Sequence, residues 1–185
     1  MARWEPDARG RMTLAAMELF AERGFEQTTA SDIAERAGVS ERTFFRHFTD
    51  KREVLFDGGD ALQQLVTDAI RDAPADISPL EVALSAMTAS AAFFDAIRDR
   101  AVRRARIIAA HPSLQERELL KLAALAETVA EALRARGVAE PTATLAAHGA
   151  LGVFQVAFDR WAGEDDAPGF AACVADAAEA LRALR

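Results

Sequence analysis

The amino-acid sequence predicts an all-α protein, and three features of its composition and patterning lead to that class. Alanine, the strongest helix former, supplies 43 of the 185 residues, whereas tyrosine is absent and glycine and proline number only 10 and 6. Apolar residues make up 51% of the chain and charged residues 28%, a balance that allows a buried core. Helix-capping residues and helix-ending glycines recur where the apolar periodicity starts and stops. About nine helices are therefore expected.

The first expected helix runs from Asp7 to Arg23. Its apolar side chains recur at the three- and four-residue spacing of an amphipathic helix, with Met12, Leu19 and Phe20 on one face. Gly24 follows directly and ends it. This helix is expected to support the two shorter ones that come next.

Two short helices are expected between residues 29 and 48. Thr29 caps the first of them, with Asp32 three residues later in a capping-box arrangement, and Gly38 ends it after two turns. Ser40 caps the second, which runs from Glu41 to Phe48. The connection between the two helices is therefore a sharp turn.

Six further helices are expected, most of them delimited by proline, glycine or a capping serine. A fourth helix begins at Asp50 and is stopped by Pro74, with Gly58-Gly59 as a weak point. Ser78–Glu81 combines an N-cap, a proline at the first helical position and an acidic residue at the third, which is a helix start. The expected spans are Asp50–Ala73, Pro79–Phe94, Asp99–Ala110, Ser113–Arg136, Pro141–Trp161 and Pro168–Leu184.

The short helix pair, joined by Ala37–Ser40 after a longer supporting helix, has the sequence form of a helix-turn-helix. The outer face of its second helix carries the hydrogen-bond donors Arg42, Thr43, Arg46 and His47. Such donors suit the major groove of DNA, where arginine binds guanine O6 and N7 bidentately. Short helix pairs with a glycine turn also occur in plain helical bundles. Spacing alone therefore leaves DNA binding and a simple interaction bundle as alternatives.

The run Gly24–Ser40, followed by Thr43–Phe48 and Asp50–Leu55, resembles the DNA-binding domain of the tetracycline-repressor (TetR) family. The resemblance covers about residues 9–56. It implies an all-α chain of nine helices that pairs into a two-fold homodimer and binds double-stranded operator DNA. It further implies that an effector bound in the C-terminal domain, here an unknown small molecule, releases the operator.

The resemblance also implies roles for individual residues. Thr29, as a cap, His47 and Lys51 match phosphate contacts of the family, and Lys51 is expected at the N-terminus of the fourth helix. The family usually has tyrosine where this chain has Phe45, so only an apolar contact remains there, such as one to a thymine methyl. Arg46 is a candidate to compensate for the missing hydroxyl. The expected DNA-binding residues are Thr29, Ser31, Ser40, Arg42, Thr43, Phe45, Arg46, His47 and Lys51.

The expected domains are residues 1–56 for DNA binding and residues 57–185 for effector binding and dimerisation. The second domain is expected to be an antiparallel helical bundle, which places ligand cavities between facing helices. Arginines 98, 100, 103, 104 and 106 form either a solvated helix face or a cluster with one side chain turned toward an acidic effector group. Candidates for an apolar pocket, each of which could equally be ordinary core, are Leu84, Met87, Phe93, Phe94, Ile97, Leu122, Leu125, Phe154 and Phe158.

A dimer seam is expected on the last two helices, which are apolar over broad faces. Small residues allow close helix approach there, and one helix pair from each subunit would form a four-helix seam. His148 lies on this apolar stretch and suits a seam or core position better than a metal site. The expected seam residues are His148, Gly149, Gly152, Val174 and Leu181.

Other functions are disfavoured by what the chain contains. The three histidines are scattered and no Cys-His or Ser-His-Asp spacing or glycine-rich phosphate loop appears, so no enzyme activity, metal or cofactor is expected. The net charge of −7 lies entirely after residue 52, since residues 1–52 hold 9 basic and 9 acidic side chains. The single Cys173 excludes an internal disulfide, and no apolar stretch approaches a membrane span. A cytoplasmic location without a membrane partner is therefore expected.

Overall fold

The computed structural model describes residues 7–164 and 166–184, and every regular element within these ranges is helical. The all-α class is confirmed. Counting the closely spaced pair α5 and α6 as one broken helix gives the nine expected. In the described residues the elements are α1 Ala8–Arg23, α2 Ala30–Arg36, α3 Glu41–His47, a 3₁₀ helix Glu53–Phe56, α4 Gly59–Asp72, α5 Pro79–Ala89, α6 Ala91–Ala96, α7 Arg98–Ala109, α8 Pro112–Ala135, α9 Thr142–Gly163 and α10 Phe170–Ala183.

The chain forms two compact units. The N-terminal unit comprises the residues up to Asp57 together with Arg103–Gln115, and the C-terminal unit comprises Gly58–Val102 together with the residues from Glu116 onward. The division at Asp57 lies next to the expected boundary, but the N-terminal unit is not one continuous segment. Ile108 and Leu114, at the end of α7 and the start of α8, are 6% and 0% exposed and belong to its core.

The core of the N-terminal unit is built by α1, α2, α3 and the 3₁₀ helix around large apolar side chains. Phe44 and Phe48 from α3 and its C-cap are buried in it, and Phe25 packs edge-on against Phe20 with ring centroids 5.2 Å apart. His111 lies tilted against Phe25 at 5.1 Å. The other large buried residues of this core are Met12, Met17, Leu19, Ile33, Val54, Leu55 and Phe56.

The expected fourth helix, Asp50–Ala73, is interrupted, so the prediction of a continuous helix is wrong. The 3₁₀ helix ends at Asp57, whose backbone is extended, and Gly58 adopts a left-handed conformation with φ +93° before α4 begins at Gly59. The Asp57 carboxylate pairs with Arg9 at 2.7 Å and accepts a hydrogen bond from the Thr13 hydroxyl at 3.1 Å. These contacts to α1 hold Asp57 in a non-helical position, and glycine allows the left-handed residue that follows.

The helix expected over Pro79–Phe94 is also divided, at Ser90. The buried Ser90 hydroxyl donates to the Met87 carbonyl at 2.6 Å, so the side chain competes for an acceptor of the helix ladder. The start of α5 agrees with the prediction, because the Ser78 hydroxyl accepts from the Glu81 backbone N–H and Pro79 occupies the first helical position. The C-terminal unit is thus an assembly of α4 to α10 in which α9 packs against both α10 and α5.

The Arg136 side chain fixes the end of α4 in the C-terminal unit. The Arg136 guanidinium donates to the carbonyl oxygens of Ile70, Arg71, Ala73 and Pro74 at 2.8–3.0 Å, which satisfies the free acceptors at the end of α4.

No single helix in the described ranges has the length and apolar character to span a membrane. One bent pair, Pro79–Ala96 with Arg98–Ala109, has the length and composition of a span when the two helices are taken together.

Candidate nucleic-acid interface

The connection between α2 and α3 has the geometry of a sharp helix-turn-helix. Gly38 has φ +68°, a left-handed conformation that suits glycine, and the Val39 N–H donates to the Ala34 carbonyl at 2.9 Å. The Arg11 Nε donates to the Ala37 carbonyl at 3.2 Å and so ties the turn to α1. Ile33 and Phe44, both 0% exposed, hold the two short helices against α1. The turn is therefore held by a hydrogen bond from α1 and by the buried side chains of the two helices that it joins.

Both predicted N-caps of the short helices are present. Thr29 and Asp32 form a complete capping box, in which the Thr29 hydroxyl accepts from the Asp32 N–H at 3.1 Å and Asp32 accepts from the Thr29 N–H at 2.8 Å. The Ser40 hydroxyl accepts from the Thr43 N–H at 3.1 Å and lies 2.9 Å from the Thr43 hydroxyl. Thr29, Ser31 and Ser40 are solvent-exposed at the helix starts, and Thr43 is half-buried.

The exposed face of α3 carries two cations and an aromatic ring. Arg42, Phe45 and Arg46 are exposed, and the spacing of three and four residues places them on adjacent parts of one surface. His47 is half-buried at the last position of the helix. Phe44, on the opposite side, is buried in the core, so α3 can present only this outer face to a partner.

The ion pairs of the N-terminal unit leave the α3 arginines free. Arg36 binds Glu22 at 2.8 Å and Glu18 at 3.3 Å, and Arg52 binds Asp50 at 2.7 Å. Within the described part of the chain, by contrast, Arg42 and Arg46 make no ion pair. Residues 1–52 have no net charge as a whole, but their charges are unevenly distributed: Arg36 and Arg52 are paired with carboxylates, whereas the outer face of α3 is cationic.

Hydrogen bonds lower the pKa of two carboxylates around α2. The Thr29 side chain and backbone, with a contribution from Arg23, hold the pKa of Asp32 below its usual value. The Arg36 guanidinium holds the pKa of Glu22 below its usual value through its hydrogen bonds and charge. Both carboxylates stay ionised at neutral pH, so the arginines and backbone groups that they bind remain engaged.

Lys51 is turned toward the loop between α1 and α2. Its Nζ donates to the carbonyl oxygens of Phe25, Glu26 and Thr28 at 2.8, 3.3 and 2.9 Å and lies 4.4 Å from the centroid of the Phe25 ring. A lysine ammonium has three N–H donors, and all three are used here. Because α4 begins at Gly59, the expectation that Lys51 lies at the N-terminus of a long helix is wrong.

Arg104 of α7 and His111, between α7 and α8, complete this unit by binding residues that are tens of positions away along the chain. The Arg104 Nε donates to the Leu55 carbonyl at 2.5 Å, and its guanidinium lies 5.0 Å from the Phe56 ring centroid. His111 Nδ1 lies 3.8 Å from a Glu26 carboxylate oxygen. No local sequence signal marks these residues as parts of the N-terminal unit, and the sequence analysis did not assign them to it.

Family models match the chain in two adjoining segments. Residues 13–57 match the model described as "Bacterial regulatory proteins, tetR family", and residues 61–185 match the model of the MftR C-terminal domain. The chain belongs to the TetR family of transcriptional regulators. The N-terminal match contains the helix-turn-helix and the cationic face of α3.

Individual relatives support the same assignment for this TetR-family chain. The transcriptional regulator TcmR of Streptomyces glaucescens is 38% identical over 81 residues, and the transcriptional activator FasR of Mycolicibacterium smegmatis is 35% identical over 95 residues. These matches cover 44% and 49% of this chain, but only 36% and 41% of the relatives' own lengths. The crystal structure of the transcriptional repressor FadR of Thermus thermophilus, in complex with lauroyl-CoA, matches with 27% identity and a TM-score of 0.59 over 94% of this chain and 93% of that one.

The predicted pocket residues of the TetR-family chain all lie in the apolar interior of the C-terminal unit or pack against it. Leu84, Met87, Phe94, Leu125 and Phe154 are buried, and the other four, Phe93, Ile97, Leu122 and Phe158, are partly buried. Phe94 is at the centre of an aromatic cluster, with ring centroids of Phe154, Phe158, Trp161 and Phe170 at 4.8–6.1 Å. Trp161 and Phe170 also belong to this cluster, although they were not among the predicted pocket residues.

Polar side chains at one end of this cluster fix the turn between α9 and α10. Asp95 Oδ1 accepts from the Trp161 indole N–H at 3.2 Å and from the Phe170 backbone N–H at 3.1 Å. Arg98 donates to the carbonyl oxygens of Trp161 and Glu164, each at 2.9 Å. Of the clustered arginines, Arg98 and Arg104 thus bind backbone carbonyls, while Arg100, Arg103 and Arg106 are exposed.

The predicted seam residues separate into two groups. His148 and Gly152 lie on an exposed face of α9, together with Leu145 and Val156, which are 67% and 62% exposed. Val174 is 1% exposed and packs in the core of its own unit, so its expected place in a seam is wrong. A Cβ atom at Gly149 would meet Leu80 and Leu181 side chains at 3.4 and 3.6 Å, and so Gly149 and Leu181 face each other inside the unit.

Proposed function

We propose that this TetR-family protein is a ligand-responsive repressor that binds a palindromic operator as a homodimer and is released by a small, largely apolar effector. The exposed face of α3 is the observation that carries the proposal. Its two arginines make no ion pair within the described residues, while the arginines around them are neutralised by carboxylates. A short helix with free guanidinium groups, held outward by buried Phe44, suits the major groove.

The exposed strip of α9 supports the homodimer. Leu145, His148, Gly152 and Val156 recur at helical spacing and are all exposed, which leaves an apolar stripe uncovered on one subunit. A two-fold pairing of such stripes buries them and brings two copies of α3 into one symmetric molecule. A palindromic operator with two half-sites is the DNA sequence that this symmetry requires.

The interior of the C-terminal unit supports an apolar effector. Its aromatic cluster and aliphatic lining can contact an acyl chain or an aromatic ring but offer few polar groups. The FadR structure that covers most of this chain holds lauroyl-CoA, so an acyl thioester is the effector class to examine first. Arg100, which is exposed on the part of α7 that belongs to the same unit, is available for an anionic portion of such a molecule.

The proposal is tested by selecting DNA from a random pool with the full-length protein. We expect an enriched palindrome, an affinity that falls steeply with salt, and loss of binding when a long-chain acyl-CoA is added but not with coenzyme A alone. A plain interaction bundle, the alternative function, would enrich no sequence. The relative FasR is named an activator, so a reporter assay with the selected operator decides whether this protein lowers or raises transcription. We infer a cytoplasmic location from the proposed action on operator DNA, and we propose no membrane partner.

A further inference from the structure

His148 is an ionisable group on an otherwise apolar face of α9. Between Glu140 and Asp159 the sequence contains no other acidic or basic residue, so this imidazole is the only titratable group along about five helical turns. It is exposed, as are Leu145 and Val156 on the same stripe. The proposed function assigns His148 to the seam but gives its charge no role.

The charged groups on the helices around α9 bind one another. Arg182 of α10 binds Glu81 of α5 through two hydrogen bonds of 2.8 Å, and Glu179 lies within electrostatic reach of Arg182. In the part of the chain that the structure describes, the His148 side chain makes no hydrogen bond or ion pair. The other ion pairs around α9 join Arg160 to Asp176, and Arg134 to Glu127 and Glu140.

The exposed stripe of α9 is complementary in size to a second copy of itself. When two copies of one helix pair antiparallel about a two-fold axis, residues equally far before and after the axis face each other. With the axis near Ala150, His148 faces Gly152 of the partner subunit, and Leu145 lies close to Val156 of the partner subunit. Nothing in its own chain lies within 4 Å of a Cβ at Gly152, so an imidazole ring has room above this glycine.

Pairing of the stripes removes the His148 ring from water and surrounds it with apolar side chains. A charged imidazolium in such surroundings loses its hydration without gaining a carboxylate partner, whereas a neutral imidazole avoids this penalty. We propose that protonation of His148 separates the subunits, so that the homodimer and its operator binding persist only where this side chain is neutral. This inference rests on the proposed homodimer and adds acidification as a second regulatory input.

Proton linkage gives the size of the effect. An imidazole in water titrates near about pH 6.5, and a homodimer contains two copies of His148. When the charged form is excluded from the seam, the dissociation constant of the homodimer rises about tenfold per histidine between about pH 7.5 and 5.5, or about 100-fold in total. Arg182 and Arg134 hold the pKa values of Glu81 and Glu140 below their usual range, so these ion pairs persist over the same interval.

The experiment measures the dissociation constant of the full-length homodimer without DNA, by sedimentation at about pH 7.5, 6.5 and 5.5, with circular dichroism in parallel to show that the chain stays helical. We expect the wild type to weaken by about 100-fold over this interval. His148→Gln and His148→Leu, which are neutral at every pH, should change by less than about threefold, and His148→Lys should be monomeric throughout. His111→Gln is the matched control, because it removes a histidine of the N-terminal unit and should retain the full pH dependence.

The possible failures separate this inference from the proposed function. A homodimer whose dissociation constant stays constant down to about pH 5.5 would overturn this inference alone. A homodimer that strengthens on acidification, as pairing of a protonated His148 with Glu179 would require, would overturn it too. So would a pH dependence that persists in both His148→Gln and His148→Leu. A wild-type protein that is monomeric at every pH would overturn the proposed homodimer and this inference with it.

Discussion

Replacing Lys51 by methionine should destabilise the N-terminal unit without removing a phosphate contact. The substitution keeps the apolar stem but leaves the carbonyl oxygens of Phe25, Glu26 and Thr28 without their shared donor. Hydrogen bonds to charged groups contribute about 1.5–3 kcal/mol each when measured singly, and a cation–π contact about 0.5–1 kcal/mol. These carbonyls are partly exposed and can regain water, so a loss of about 2–4 kcal/mol in the free energy of unfolding is expected in total.

Chemical denaturation and salt-dependent DNA binding together check this expectation. Arg52→Met is the matched control, because it removes a neighbouring cation from an exposed ion pair with Asp50 and should change stability by about 0–1 kcal/mol. Below the unfolding transition, Lys51→Met should leave the slope of log affinity against log salt unchanged, whereas Arg46→Met should reduce it by about 0.9 per subunit if Arg46 contacts a phosphate. A Lys51→Met protein with wild-type stability and a slope reduced by about 0.9 per subunit would show that Lys51 binds phosphate after all.

Three other perturbations have expected outcomes. Gly152→Leu should sediment as a monomer and keep a native helical spectrum, because nothing in its own chain lies within 4 Å of a Cβ there; a dimeric Gly152→Leu protein would refute the α9 seam. Gly149→Leu should instead destabilise the chain itself, because its side chain would meet Leu80 and Leu181. Asp95→Ala should lower the free energy of unfolding by about 1–3 kcal/mol, since it leaves the Trp161 and Phe170 donors unpaired, and Asp95→Asn, which keeps an acceptor oxygen, by less; equal losses would contradict this account. Because the folded-state pKa of Asp32 is lowered, its contribution to stability is present above its unfolded value of about 3.8 and is lost as the pH falls below it, so thermal melts of Asp32→Asn should vary less with pH in this range than those of the wild type.

The sequence predicted the features whose causes lie within a few residues. Thr29 and Ser40 cap the short helices because each hydroxyl accepts from the N–H three residues along the chain, and the turn at Gly38 depends on a local backbone conformation. These signals are visible in any window of a few residues. The face of α3 followed from the same local information, since helical spacing separates Arg42 from the buried Phe44.

The features that the sequence did not reveal depend on contacts between distant segments. Asp57 is held out of a helix by Arg9 and Thr13, which precede it by more than forty residues. Lys51 was predicted to contact a phosphate, but its ammonium group binds the carbonyl oxygens of a loop more than twenty residues away along the chain. The local sequence allows one helix to continue through Ser90, but the buried Ser90 hydroxyl donates to the Met87 carbonyl and α5 ends there. No local pattern encodes these partners.

The return of the chain to the N-terminal unit at Arg103 restricts how this protein can be recombined. Residues up to Asp57 form the unit only with Arg103–Gln115, which supply Ile108 and Leu114 to its core. A fragment cut at residue 57 would lose the Ile108 and Leu114 side chains and leave cavities in the core of this unit. A chimera that transfers this DNA-binding head to another sensor must therefore carry both segments, with the first part of the sensor inserted between them, and a simple fusion after residue 57 does not suffice.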